Sequence, residues 1–139
     1  MQIKLNEMDV SALAPLLARR EISAEQLVQA CLDRITEREP AVQAWSYLNP
    51  EAPLAQARQL DRGAVQGLLH GLPVGVKDLF DTADMPSTYG SPIYAKHQPA
   101  ADASAVALCR EQGAIMLGKT VSTEFATFNP GKTRNPHRL

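Results

Sequence analysis

The segment with the clearest chemical potential is Gly71–Asp78, with the sequence GLPVGVKD, in which a lysine and an aspartate follow a short apolar run. Its two valines are β-branched and favour a strand, so Lys77 is predicted to lie at the end of a buried strand. A lysine acts as a base only after losing its proton, which near neutral pH requires an apolar site or a nearby positive charge. Strand alternation sends Asp78 to the opposite face, so it need not hold Lys77 charged. Lys77 is therefore a candidate base, and the alternative is a strand-end lysine that reaches solvent.

A second pattern, Gly113–Thr120 with the sequence GAIMLGKT, satisfies the G-x-x-x-x-G-K-[ST] consensus of a phosphate-binding loop. In a working loop of this kind, the four middle residues form an open turn between a strand and a helix. Here the preceding segment is predicted to be helical, and Ala, Ile, Met and Leu favour a buried strand. The sequence context therefore argues against nucleotide binding, which stays a minor alternative.

Histidine and cysteine spacing predicts no metal site. His70, His97 and His137 form no helical His-x-x-x-His pair, and Cys31 and Cys109 stand far apart in no ligand or redox spacing. We therefore expect no metal and no other cofactor.

The composition is that of an ordinary globular protein. Of 139 residues, 45% are hydrophobic and 21% are charged, and 14 Lys and Arg against 15 Asp and Glu give a net charge of -1. Nothing in this balance favours nucleic acid or an anionic membrane as a partner. No apolar run has the length of a signal-peptide core or a membrane span, so a cytoplasmic location is expected.

Apolar periodicity predicts one domain with a helical start over about residues 8–39, an α/β part over about 43–128 and a loop cut short over 129–139. In the helical start, Ser23–Gln26 has the pattern of a capping box, and the helix that follows is predicted to run out before Pro40. The α/β part alternates strands with helices, which is typical of a sheet covered on both faces. Its predicted elements are strands at 44–48, 71–78 and 114–117, and helices at 51–66 and from Asp102 to Gly113.

Several stretches together resemble the amidase signature family, the serine hydrolases that cleave carboxylic amides with a Ser-cisSer-Lys triad. The stretches occur in the family's order and cover the chain from Ser23 onward. The resemblance implies an α/β/α sandwich with a large mixed central sheet, of which this chain is the N-terminal portion. The matching stretches are Gly71–Asp78, Thr88–Ser91, Asp102–Ala103, Gly113–Thr120, Glu124–Ala126 and Asn135–Pro136.

The resemblance also implies roles for individual residues. Lys77 matches the family's catalytic lysine, which relays the proton of the nucleophilic serine through a bridging serine in a cis peptide. Ala126, Thr127 and Phe128 match a loop whose backbone lines the substrate pocket in the family. The implied reaction is hydrolysis of a small, non-peptide carboxylic amide to an acid and ammonia or an amine.

The serines are the main departure from the family pattern. In the family the bridging serine and the nucleophile follow the Asn-Pro step, and this sequence stops at Leu139 before either. Ser87, Ser91, Ser104 and Ser122 lie outside the matching positions, and no Gly-x-Ser-x-Gly elbow replaces them. We therefore expect the isolated chain to be inactive, and to associate with itself or with the missing C-terminal part through unpaired sheet edges.

Two further interpretations stay open. The same chemistry would suit the amidase subunit of a tRNA-dependent amidotransferase, although Val121–Thr123 and Thr127–Pro130 depart from the Asn-Met and Met-Gly residues of those subunits. A non-catalytic truncated product is the other interpretation, which the true C-terminus would distinguish.

Overall fold

The computed structural model describes residues 4–138, and over this range the chain alternates helices and strands. Short 3-10 turns lie at Leu5–Glu7, Pro92–Tyr94 and Glu124–Ala126. The longer elements, in chain order, are α1 (Val10–Ala18), α2 (Ala24–Val42), β1 (Trp45–Leu48), α3 (Glu51–Arg62), β2 (Pro73–Lys77), α4 (Ser104–Glu111) and β3 (Ile115–Thr120).

The three strands form a mixed sheet in the order β1-β3-β2. β1 runs antiparallel to β3. β2 runs parallel to β3, because the Ile115 N–H donates to the Leu72 carbonyl and the Asp78 N–H donates to the Thr120 carbonyl, so that the partners advance in the same direction. The predicted α/β class is confirmed, and β2 lies at an edge of the sheet that the described residues form.

The described residues form two compact units, of which the first comprises the described part of Met1–Glu37 together with Asn49–Val74 and Leu108–Leu117. Its core is built from apolar side chains at helical spacing, since only one face of each helix is buried. The buried apolar residues on its helices are Leu13, Leu17, Ala24, Leu27, Val28, Leu32, Leu54, Ala57 and Leu60.

The start of α2 confirms the predicted capping box. The Gln26 N–H donates to Ser23 Oγ over 3.0 Å, and the Ser23 N–H donates to Gln26 Oε1 over 2.9 Å. The Asp61 carboxylate also accepts the N–H groups of Ala24 and Glu25, at 2.8 and 3.1 Å. A carboxylate at this end of a helix satisfies free N–H groups and favours the helix dipole.

Two predicted helix ends are wrong. α2 continues through Pro40 to Val42, because a proline in the last turn removes only one helical hydrogen bond, and the Gln43 N–H still donates to the Glu39 carbonyl. α3 ends at Arg62 rather than near residue 66, because Gly63 takes an extended conformation.

The second unit comprises Arg38–Leu48, Gly75–Ala107 and the described part of Gly118–Leu139. The Glu39 carboxylate anchors the start of β1, because it accepts hydrogen bonds from the N–H groups of Ala44 and Trp45, at 2.9 and 3.0 Å. In the sheet, Tyr47 pairs with Lys119, and the pairing register shifts between Trp45 and Tyr47. This unit contains every residue that the sequence singled out for catalysis or substrate binding.

Candidate active site

Lys77 is the last residue of β2, and its side chain is exposed. Its two neighbours, Val76 and Asp78, are buried. The prediction that Lys77 ends a buried strand is therefore wrong for Lys77 itself, because Lys77 lies on the face of β2 that the described residues leave uncovered, as does the exposed Gly75. The alternation that separates Lys77 from Asp78 agrees with the prediction.

Asp78 forms hydrogen bonds with one loop and with strand β3. Its Oδ1 accepts the Thr88 N–H at 3.0 Å, and its Oδ2 accepts the Thr88 hydroxyl. The Asp78 N–H donates to the Thr120 carbonyl at 2.9 Å. The backbone next to Lys77 is thus fixed by both the side chain and the main chain of its neighbour.

The counterion of Asp78 is Lys119, which sequence reasoning missed. Lys119 is fully buried in β3, and its Nζ lies 3.4 Å from Asp78 Oδ1. The Nζ also donates to Ser87 Oγ at 2.6 Å, to the Pro86 carbonyl at 3.1 Å and to Thr82 Oγ1 at 3.2 Å. One sequence signal could have indicated that Lys119 is buried. The apolar run just before it belongs to the strand that continues to Thr120.

The groups around Lys119 Nζ are those that favour an ammonium. The Thr82 hydroxyl donates its only proton to the Met85 carbonyl, and the Ser87 hydroxyl donates its only proton to the Phe80 carbonyl. Nζ therefore faces three acceptors and the Asp78 carboxylate, a set of neighbours that matches the three donors of an ammonium. Burial lowers the pKa of Lys119, and the Asp78 carboxylate opposes that shift.

Two chemical roles do not suit Lys119. Its hydrogen-bond partner Ser87 is fully buried, so a base at Lys119 would activate a hydroxyl that no substrate reaches. The phosphate-binding pattern at Gly113–Thr120 forms strand β3 instead of an open loop. The prediction that this segment is a buried strand is confirmed.

The residues matched to substrate binding, Ala126, Thr127 and Phe128, lie in an exposed turn that Glu124 organises. The Glu124 carbonyl accepts the Thr127 N–H at 2.9 Å, and the Glu124 N–H donates to the Asn129 carbonyl at 3.0 Å. The Glu124 carboxylate accepts the Asn129 amide at 3.0 Å and the hydroxyl of the buried Ser91 at 2.6 Å. The turn is therefore closed internally and tied to the loop that contains Ser91.

Phe125 and Ala126 in this turn occupy the left-handed region, with φ of 48° and 56°. Such backbone costs of the order of 1–3 kcal/mol per residue and is maintained only by surrounding contacts. One such contact is the Phe125 N–H, which donates to the Tyr89 carbonyl at 2.8 Å. Phe128 follows with a fully exposed ring.

We predict that the Ser91 hydroxyl controls the ionisation of Glu124. Hydrogen bonds from Ser91 and Asn129 lower the pKa of the Glu124 carboxyl, so the turn is stabilised at neutral pH and loses this contribution as pH falls through that lowered value. In Ser91→Ala, the carboxyl resonance of Glu124 should titrate at a higher pH than in the wild type. An unchanged titration would contradict the link between the two residues.

We also predict a late ionisation of Tyr89. Its hydroxyl donates to Asp81 Oδ1 at 2.6 Å, and this carboxylate raises the pKa of Tyr89 to about 12. The hydrogen bond should therefore stabilise the fold below about pH 10 and weaken as pH rises towards 12. NMR titration of the tyrosine Cζ resonances, assigned with Tyr89→Phe, should show a lower pKa for Tyr89 in Asp81→Asn. A wild-type Tyr89 that ionises near pH 10 would contradict the prediction.

Residues 4–138 contain neither a metal-ligand cluster nor a membrane-spanning helix. Within this range, no three His, Cys, Asp or Glu side chains lie together so that they could hold a metal ion. Across the same residues, no helix is long and apolar enough to cross a membrane.

Comparison with known proteins identifies relatives over most of the chain. The family model described as Amidase matches residues 26–139. The protein named "Putative amidase AmiD" of Mycobacterium bovis is 36% identical over 88% of this chain and 26% of its own length. A glutamyl-tRNA(Gln) amidotransferase subunit of Acidothermus cellulolyticus is 42% identical over 91% of this chain and 27% of its own length.

A solved amidase structure is also similar to this chain. The native peptide amidase of Stenotrophomonas maltophilia superposes with a TM-score of 0.80 at 34% identity, over 91% of this chain and 27% of the peptide amidase. The chain therefore spans about a quarter of the length of the relatives it matches.

Proposed function

Because the chain belongs to the amidase family, we propose that it is the N-terminal portion of an amidase that hydrolyses a small, non-peptide carboxylic amide to an acid and ammonia or an amine. The observation that carries this proposal is the placement of Lys77, exposed at the end of β2 and followed by the anchored Asp78. Its exposed amine is open to groups that approach from outside the described residues.

Lys77 acts as the base of this reaction. It takes the proton of a nucleophilic serine through a bridging serine, and both serines lie outside these 139 residues. The hydrogen bonds of the buried serines support this assignment, because Ser87 is bonded to Lys119, Ser91 to Glu124 and Ser122 to the Thr123 carbonyl. Acyl transfer to the nucleophile and then to water completes the reaction.

Ala126, Thr127 and Phe128 form part of the substrate pocket. The N–H groups of Ala126 and Thr127 are used within the turn, where they donate to the carbonyls of Thr123 and Glu124. The turn therefore offers the substrate its backbone carbonyls and the exposed ring of Phe128. An aromatic side chain at this point suits an apolar part of the amide.

Labelling of the nucleophile tests the proposed chemistry. The product of the complete reading frame that encodes these residues should react with a fluorophosphonate probe at one serine outside the 139 residues. Lys77→Ala should slow this labelling strongly, because the serine loses its base. Labelling that Lys77→Ala leaves unchanged, or that occurs at Ser87 or Ser91, would contradict the proposal.

A second candidate function rests on the relative with 42% identity, whose name describes it as an amidotransferase subunit. In that case the ammonia would be passed to an acceptor on a partner protein rather than released. Copurification of the complete product with stoichiometric partner proteins would favour this candidate. Amide hydrolysis by the purified product alone would favour the amidase.

We further propose that the isolated chain self-associates or binds the remainder of its own fold, in the cytoplasm. β2 lies at an edge of the sheet that residues 4–138 form, and the second unit exposes Phe80, Ile93 and Phe128. Unpaired strands and exposed apolar side chains promote association. Light scattering of the 139-residue chain should therefore give a mass above that of a monomer, and a compact monomer would contradict this prediction.

A further inference from the structure

The loop that follows β2 is held by a buried cation from a distant part of the chain. Lys119 Nζ donates to three acceptors in residues 82–87 and lies 3.4 Å from Asp78 Oδ1. Lys119 and Asp78 are almost completely buried, so solvent weakens this interaction little. Asp78 directly follows Lys77 in the chain.

We propose that Lys119 is a positioning residue, which holds Asp78 in place and thereby fixes the backbone that presents Lys77. This inference rests on the proposed role of Lys77 as the base. Lys119 itself touches neither substrate nor nucleophile, because it is fully buried.

The contacts provide two independent links between the two segments. One is the ion pair between Lys119 and the Asp78 carboxylate. The other is the hydrogen bond from the Asp78 N–H to the carbonyl of Thr120, the residue after Lys119. Lys119 is in turn held by its pairing with Tyr47 on the neighbouring strand. Asp78 is therefore fixed to the strand in the middle of the sheet, and Lys77 can shift little at its Cα.

The loop on the other side of Asp78 is fixed by the same residues. Thr88 gives both its N–H and its hydroxyl to the Asp78 carboxylate. Lys119 fixes the residues just before Thr88, since its Nζ bonds the Pro86 carbonyl and Ser87 Oγ. Removing the cation would release both the carboxylate and the loop that surrounds it.

Hydrogen exchange of the 139-residue chain provides the first test. In Lys119→Met, the N–H groups of Asp78 and Thr88 should exchange at least about tenfold faster than in the wild type. The Gly71 N–H, bonded to the Gly113 carbonyl, reports global unfolding, so its rate should follow the loss of overall stability. The ratio of the exchange rates at Asp78 and Thr88 to the rate at Gly71 should rise above its wild-type value, and an unchanged ratio would overturn the inference. Lys96→Met removes an exposed lysine and should change none of these rates. Unchanged exchange at Asp78 and Thr88 would overturn the inference.

Kinetics of the complete reading-frame product separate positioning from a purely structural role. The double variant Lys119→Met/Asp78→Asn removes both charges and leaves no buried unpaired ion, so its thermal midpoint should lie above that of Lys119→Met, and it should be folded at the assay temperature. If Lys119 positions Lys77, its kcat for amide hydrolysis should still fall about 100-fold with little change in KM, because a small displacement of a catalytic group is costly.

The outcomes distinguish failure of this inference from failure of the proposed function. A double variant with wild-type kcat, alongside a Lys77→Ala variant that is inactive, would overturn the positioning role alone. A Lys77→Ala variant with wild-type kcat would overturn the proposed function, and the inference with it. Lys96→Met should retain wild-type kcat in either case.

Discussion

Replacing Lys119 by methionine should lower the free energy of unfolding of the 139-residue chain by about 3–5 kcal/mol. The substitution leaves the Asp78 carboxylate buried without its counterion, and it removes the donor for Thr82, Pro86 and Ser87. A buried acceptor left without a donor adds its own cost. Urea denaturation should show a lower midpoint with little change in slope.

Two matched variants test whether this effect comes from the ion pair. Lys96→Met removes an exposed lysine and should change the free energy of unfolding by no more than about 0.5 kcal/mol. Adding Asp78→Asn to Lys119→Met should recover part of the loss, because the remaining group is neutral. A Lys119→Met variant destabilised by less than about 1 kcal/mol would contradict a charged Lys119.

Replacing Lys77 by alanine should lower kcat of the complete reading-frame product by about 100-fold to 10,000-fold, the usual contribution of a general base. KM should change little, because the base acts on the nucleophile rather than on bound substrate. The free energy of unfolding should also change little, because the Lys77 side chain is exposed. Initial rates of ammonia release, with urea denaturation of the same samples, measure both quantities.

Lys77→Arg is the informative control for this experiment. Arginine keeps the positive charge but cannot lose its proton in a protein, so it should not restore kcat. Recovery of more than about a tenth of the wild-type kcat in Lys77→Arg would mean that Lys77 acts through its charge rather than as a base.

The sequence correctly predicted those features that depend on residues close together in the chain. The capping box at Ser23–Gln26 depends on two residues of the same turn, and it forms as predicted. The apolar stripe of α2 and the buried run before Gly118 likewise follow from spacing alone. The failure of the phosphate-binding pattern could also be predicted, because its four middle residues favour a strand.

The partner of Asp78 could not be predicted in this way. Lys119 lies far from Asp78 in sequence, and the two residues meet only because β2 and β3 run parallel side by side. Strand order is a tertiary property that periodicity does not encode. The pattern of residues 113–120 therefore did not indicate that Lys119 would form an ion pair with Asp78.

The burial of Lys77 was predicted wrongly for a related reason. Valine content indicates a strand but does not say whether that strand lies in the centre or at the edge of a sheet. It also does not say whether both faces of the sheet are covered, and the described residues leave the face that bears Gly75 and Lys77 uncovered. Its neighbours Val76 and Asp78 are nevertheless buried, as alternation requires.

Ammonia release from a simple amide, measured side by side for the complete reading-frame product and for the 139-residue chain, decides whether Lys77 is the base of an amidase whose nucleophile lies outside these residues. We expect turnover by the complete product, loss of that turnover in Lys77→Ala, and no turnover by the 139-residue chain. Turnover by the pure 139-residue chain would refute this assignment, because it would place a complete nucleophile and base within these residues.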